Sequence, residues 1–155
     1  MKILHAVESA TLAENAVRLV SALRFTAPQI SLVHVVQRLE PLVSKQPITG
    51  QSDFITSFFK LQEDSAKESL AEVAGLYSSE GIAAESRLIT GFTSKSLLAE
   101  ARQSKTDLLV VASRRRSGVE RFTTESICMS LLHKAPQSVL IAREVPPAKE
   151  SISAV

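Results

Sequence analysis

Two short runs, Leu108–Ala112 (LLVVA) and Ser138–Ala142 (SVLIA), constrain this chain more than any other feature in it. A strand with one wet face alternates apolar and polar residues, whereas a run that is apolar on both sides of the pleat suits a strand covered on both faces, as in parallel sheets. Between the two runs come an arginine-rich stretch, two threonines able to cap a helix (Thr123 and Thr124), and Ile127, Leu131 and Leu132 at helical spacing before a turn at Pro136. Strand, long loop, helix and strand make one βαβ unit. In open parallel sheets ligands sit at the carboxyl ends of strands, which directs attention to the Ser113–Ser126 loop.

The upstream chain repeats the unit. Met1–Val7 is a short apolar strand with His5 inside it, closed by Glu8, Ser9 and Thr11, and Leu12, Ala16, Leu19, Val20 and Leu23 then recur at helical spacing up to Pro28. Ile30–Val36 (ISLVHVV) is a second buried strand, carrying His34. From Gln37 to Asp53 the period is lost and Pro41, Pro47 and Gly50 accumulate, so a long loop is expected at the end of that strand. A longer helix is expected from Phe54 to about Tyr77, with Phe59, Ala66, Leu70, Val73 and Tyr77 on its apolar side and Lys60, Glu63, Lys67, Glu68 and Glu72 largely on the other. Gly81 marks the turn out of it. Ala84–Ile89 alternates and suits a strand nearer the sheet edge, Gly91 turns the chain, and Thr93 or Ser94 can cap a helix bearing Leu97, Leu98 and Ala101.

Five strands alternating with four helices predict an α/β fold: a three-layer sandwich around a five-stranded, mostly parallel sheet, because parallel strands need crossovers and right-handed crossovers put helices on both faces. One chain of 155 residues with 45% apolar content suits a single domain, expected over residues 1–145, with 146–155 as a flexible tail beyond Pro146 and Pro147. Eighteen basic against sixteen acidic residues leave a net charge of +2, too even to indicate a nucleic-acid partner. The single cysteine, Cys128, excludes an internal disulfide, and no leader or apolar membrane-length span is seen, so a cytoplasmic protein with no membrane partner is expected.

Catalytic constellations are absent from the sequence: no Gly-Lys-Ser/Thr phosphate loop, no Gly-x-Ser-x-Gly elbow, no spaced Cys/His cluster and no dinucleotide glycine fingerprint. No enzyme activity is expected. His5 and His34, inside apolar strands, read as core histidines rather than metal ligands; His133 suits the end of a helix, and Cys128 reads as core filling. Arg114, Arg115 and Arg116 read as a solvated run, since Phe122 alone makes no stacking platform. Asp107 precedes its strand on the side away from the expected crevice.

The order, spacing and length of these pieces resemble the universal stress protein domain over Met1–Arg143: KILHAVES opening the chain, LVHVV in the second strand, GFTSKSLLAEA at the third helix, DLLVVAS in the fourth strand and APQSVLIAR in the last. The resemblance implies a Rossmann-like domain of the adenine nucleotide alpha hydrolase-like type that commonly dimerises through its last strand, here Val139, Leu140, Ile141 and Ala142. It also implies one of two groups, of which one binds ATP. The ATP-binding pattern is Gly, two residues, Gly, nine residues, then Gly followed by Ser or Thr. In this chain those positions fall on Ala112, Arg115, Glu125 and Ser126, with Gly118 nearby where some members also carry glycine.

Glycine matters there because the backbone must approach the phosphates with its N–H groups free. Ala112 adds one methyl. Arg115 adds a large side chain whose guanidinium can itself meet a phosphate, and Glu125 puts a carboxylate at a helix start that would otherwise attract anions. ATP-binding members usually end the first strand with Asp; this chain has Glu8. The leading expectation is therefore a non-catalytic, dimeric stress-response module that does not bind ATP and takes no cofactor or metal, acting by protein contacts through the Gln37–Asp53 and Arg114–Thr124 loops. The alternative is a nucleotide-binding switch, with weak or no hydrolysis, in which arginine replaces the backbone cradle around ATP and magnesium. In that case the resemblance assigns contacts to Glu8, Val36, Ala112, Ser113, Arg115, Gly118 and Ser126.

Overall fold

The computed structural model describes residues 1–37, 51–114 and 127–144, with residues 51 and 52 described in the backbone only. In chain order they form β1 (Lys2–Ala6), α1 (Ala10–Ala22), β2 (Gln29–Gln37), α2 (Gln51–Ser79), β3 (Ala84–Gly91), α3 (Thr93–Gln103), β4 (Leu108–Ser113), α4 (Ile127–Lys134) and β5 (Ser138–Arg143). The sheet order is β3-β2-β1-β4-β5, and every neighbouring pair is parallel. The expected α/β sandwich is the fold observed.

Alternation along the central strands explains the apolar runs. Ile3, Ile30, Leu32, Leu108 and Val110 point to one face, where Ala13, Ala16, Val17 and Val20 of α1 and Leu70, Val73 and Tyr77 of α2 cover them. Their neighbours Leu4, Val33, Leu109 and Val111 point to the other, under Leu97, Leu98 and Ala101 of α3 and Cys128 and Leu131 of α4. Each buried Val, Leu or Ile among them contributes roughly 1.5–3 kcal/mol by leaving water. Lys2 donates its backbone N–H to Asp107 Oδ2 at 2.7 Å, which fastens the amino ends of β1 and β4 together, away from the carboxyl-end crevice as expected.

Several boundaries differ from the sequence reading. Helix α2 begins at Gln51, inside the stretch expected to be loop, and Asp53 in its first turn favours the helix dipole. Helix α1 begins at Ala10, two residues before Leu12, where Ser9 Oγ caps it by accepting from Leu12 N–H at 3.4 Å. Neither Thr93 nor Ser94 caps α3. The chain enters that helix through Phe92 in an extended conformation with no side-chain cap, and Thr93 Oγ1 instead accepts from Gln37 Nε2 at 3.2 Å. Gly81 ends α2 as expected: its φ of +74° suits a left-handed cap, and Ile82 N–H returns to the Tyr77 carbonyl at 2.9 Å. The proposed caps Thr123 and Thr124 lie outside the described residues.

The two sheet edges differ. β3 carries Glu85 and Arg87, and Arg87 pairs with Glu100 of α3, which is only 8% exposed. Such charges guard an edge against pairing with another chain. β5 has no charged residue between Ser138 and Arg143.

His5 is a core histidine, as expected. It lies in β1 at 0% exposure, with Nδ1 sharing a 3.0 Å hydrogen bond with the equally buried Tyr77 hydroxyl, and the two rings meet edge to face at 89°. Its Nε2 has no hydrogen-bond partner among the described residues. Burial draws the imidazole pKa from 6.5 down to about 4 and pushes the Tyr77 phenol up.

Because the folded pKa lies below the unfolded one, the unfolded chain binds the extra proton between pH 6.5 and about 4. Stability is then fully present above pH 6.5 and falls with pH through that window, by about 3 kcal/mol from this group. Urea midpoints measured across that range should fall accordingly in the native protein. His5→Phe should flatten the decline, and an unchanged slope in the variant would exclude His5 as its source.

Candidate functional site

All five strands run the same way, so β1, β2, β4 and β5 deliver their carboxyl ends to one side of the sheet. A cleft of about 900 Å³ opens there. The strand ends supply Glu8, His34, Val36, Gln37, Ala112, Ser113, Arg114 and Arg143, α2 supplies Phe58, Leu61, Gln62 and Ser65, α3 supplies Thr93 and Leu97, and α4 supplies Ile127, Cys128 and Met129. Of the residues named from sequence, Glu8, Val36, Ala112 and Ser113 therefore line one cleft. Arg115, Gly118 and Ser126, with Arg116 and Glu125, lie outside the described residues, as does most of the Gln37–Asp53 loop.

One ion pair crosses the mouth. Arg114 Nη2 donates to Glu8 Oε1 at 2.8 Å, joining the loops after β1 and β4. The first arginine of the run is thus paired rather than merely solvated. Both side chains are more than half exposed, so the pair contributes about 0–1 kcal/mol and opens readily.

His34 differs from its sequence reading. It is half-buried in the cleft wall rather than enclosed in the core, because β2 reaches the open end of the sheet. Burial lowers its pKa, partly opposed by the Val7 backbone and the Glu8 charge, and its Nδ1 has no hydrogen-bond partner among the described residues. His133 is exposed in the last turn of α4, where a cation suits the dipole. Cys128 is buried core filling on one side and cleft wall on the other, with Sγ 3.7 Å from the Ala112 carbonyl that it faces as donor. Burial pushes its thiol pKa up, against smaller pulls downward from Ser113 and Arg143. Among the described residues no three His, Cys, Asp or Glu groups cluster to hold a metal.

The sequence reading missed the α2 wall. Phe54, Phe58 and Leu61 stand at i, i+4 and i+7, a second apolar stripe offset from the core stripe of Ala66, Leu70, Val73 and Tyr77. That spacing was the available signal. Arg143 was missed because nothing marks the end of the last strand as part of a site.

A buried, neutral thiol is a poor nucleophile. Iodoacetamide at neutral pH should modify Cys128 at least about tenfold more slowly than a free thiol, with the difference lost in denaturant. Equal rates in the folded protein would overturn this account of the cleft wall.

Comparison with known proteins agrees with this architecture. No curated protein sequence matches the chain significantly. Among solved structures, the universal stress protein of Archaeoglobus fulgidus in complex with dAMP is 20% identical over 92% of this chain and 97% of its own, with a TM-score of 0.62. A universal stress protein family member from Arabidopsis thaliana with AMP bound is 16% identical over 96% and 97%, with a TM-score of 0.67. UspA of Lactobacillus plantarum is 15% identical over 92% and 97%, with a TM-score of 0.69. At these identities the likeness is one of fold. The family model for universal stress proteins matches residues 1–143, nearly the whole chain, which therefore belongs to the universal stress protein family.

Proposed function

We propose that this protein is a non-catalytic stress-response module that works as a dimer in the cytoplasm, does not bind ATP, and acts through contacts with other proteins. The observation that carries the reading is the state of the cleft mouth. Arg114, which precedes the motif position Arg115 in the chain, is already neutralised by Glu8, and that carboxylate repels a polyphosphate. Ala112 adds a methyl where the ATP-binding pattern has its first glycine. No helix among the described residues is long and apolar enough to cross a membrane, and a buried, unpaired cysteine suits a reducing compartment.

A second reading, a nucleotide-binding switch with weak or no hydrolysis, is favoured by two observations. The cleft is open at about 900 Å³, and two of the similar structures carry dAMP and AMP. Opening the exposed Glu8–Arg114 pair costs at most about 1 kcal/mol, so a phosphate can compete for the guanidinium.

Dimerisation through β5 is supported by the contrast between the edges. Val139, Leu140 and Ile141 are half-buried along an uncharged outer strand, Ala142 is buried, and β3 at the other edge is guarded by charge. A two-fold partner strand would cover the open edge.

Calorimetric titration with ATP and magnesium separates the readings: the leading one predicts no saturable heat at micromolar concentrations and a gain of binding in Arg115→Gly/Glu125→Gly. Micromolar binding by the native protein would establish the second. Sedimentation equilibrium should give a dimer that Leu140→Lys shifts toward monomer, whereas a native monomer at micromolar concentration would remove the β5 interface.

A further inference from the structure

The cleft has a chemistry of its own that neither reading uses. Two residues of the second apolar stripe of α2 face the opening: Phe58 is 41% exposed and Leu61 74% exposed, and both line the cleft. Ile127, 39% exposed, stands on the α4 wall. Apolar side chains gathered around one concavity mark a place where an apolar body leaves water.

Among the described residues that line the cleft, the charged groups are Glu8, Arg114 and Arg143. Glu8 and Arg114 satisfy each other. Arg143, at the end of β5, has no ion-pair partner among the described residues, and its charge reaches the Cys128 thiol beside it. A guanidinium presents paired N–H donors matched to a carboxylate. His34, half-buried nearby, adds no formal positive charge at neutral pH.

Among the described residues, one cation without an ion-pair partner stands beside an apolar wall, which complements a ligand with a single anionic head and an apolar chain. We propose that the cleft binds an amphiphilic carboxylate, the chemistry of a medium-chain fatty acid, with Arg143 holding the carboxylate and Phe58 and Leu61 covering the chain. A triphosphate needs several cationic or backbone donors, and the described lining offers one cation outside the Glu8–Arg114 pair. A neutral apolar molecule leaves the guanidinium unused. This inference goes beyond the function proposed above and does not rest on it, because it uses Arg143 and the α2 wall, to which neither reading assigns a contact.

The test is calorimetric titration of the full chain with sodium decanoate below its micelle concentration, with decanol and acetate as ligands lacking one half of the chemistry. Saturable one-to-one binding of decanoate is expected, with decanol and acetate each much weaker. Arg143→Gln and Leu61→Gln, both at exposed positions that tolerate change, should each weaken decanoate about tenfold, the loss expected for one charge-assisted hydrogen bond or one covered leucine. Absence of saturable heat, or native affinity retained in both variants, would overturn the proposal. Decanoate bound and then displaced by ATP would leave it standing while defeating the ATP-free reading. Neither ligand binding would defeat it while leaving that reading intact.

Discussion

Parallel pairing of β1 with both β2 and β4 is the constraint on which the rest of this molecule depends. Parallel neighbours cannot be joined by a tight turn, so each connection must cross a face of the sheet, and here the crossings are helices. Helices on both faces demand strands that are apolar on both sides, and the central strands satisfy this with Ile3 and Leu4, Leu32 and Val33, and Leu109 and Val110. Among the described strand residues, His5 is the one polar side chain that is fully enclosed, and it is held neutral against Tyr77. The same geometry that builds the core makes it vulnerable to acid.

Parallel pairing also decides where function can reside. It gathers the carboxyl ends of the strands on one side and leaves the connections there to form a cleft, while the amino ends are tied by Lys2 and Asp107. What the cleft can hold then depends on a few side chains. Among the described residues Glu8 and Arg114 remove each other from the charge balance, Arg143 remains, and the first turns of α2 supply apolar surface. The proposals made for this protein follow from that balance: little attraction for a polyphosphate, and complementarity to a single anion with an apolar body.

Legibility in the sequence followed the range of the interactions involved. Strands buried on both faces and helices with one apolar stripe are local patterns, and the fold, the edge position of β3, the core role of His5 and the Gly81 turn could all be read from them. The Glu8–Arg114 pair joins residues 106 apart, and no local pattern announces it. His34 looks like a core residue because its neighbours Val33 and Val36 are buried; its place near the carboxyl end of β2, where the cleft opens, makes it cleft wall. Thr93 carries a capping hydroxyl, yet Gln37 uses it. Phe58 and Leu61 were visible as apolar residues, but a stripe that faces a cavity and one that faces a core have the same period.

The central claim is that the carboxyl-end cleft accepts an apolar monoanion in preference to a triphosphate. Amide-resolved NMR of the full chain, with decanoate and with ATP and magnesium in separate samples, tests it most directly. The account predicts saturable shifts with decanoate at Val36, Ser113, Cys128 and Arg143, and at Phe58 and Leu61 of α2, with ATP leaving those amides unmoved at micromolar concentration. Saturable shifts with ATP at Val36 and Ser113, and none with decanoate along α2, would contradict it.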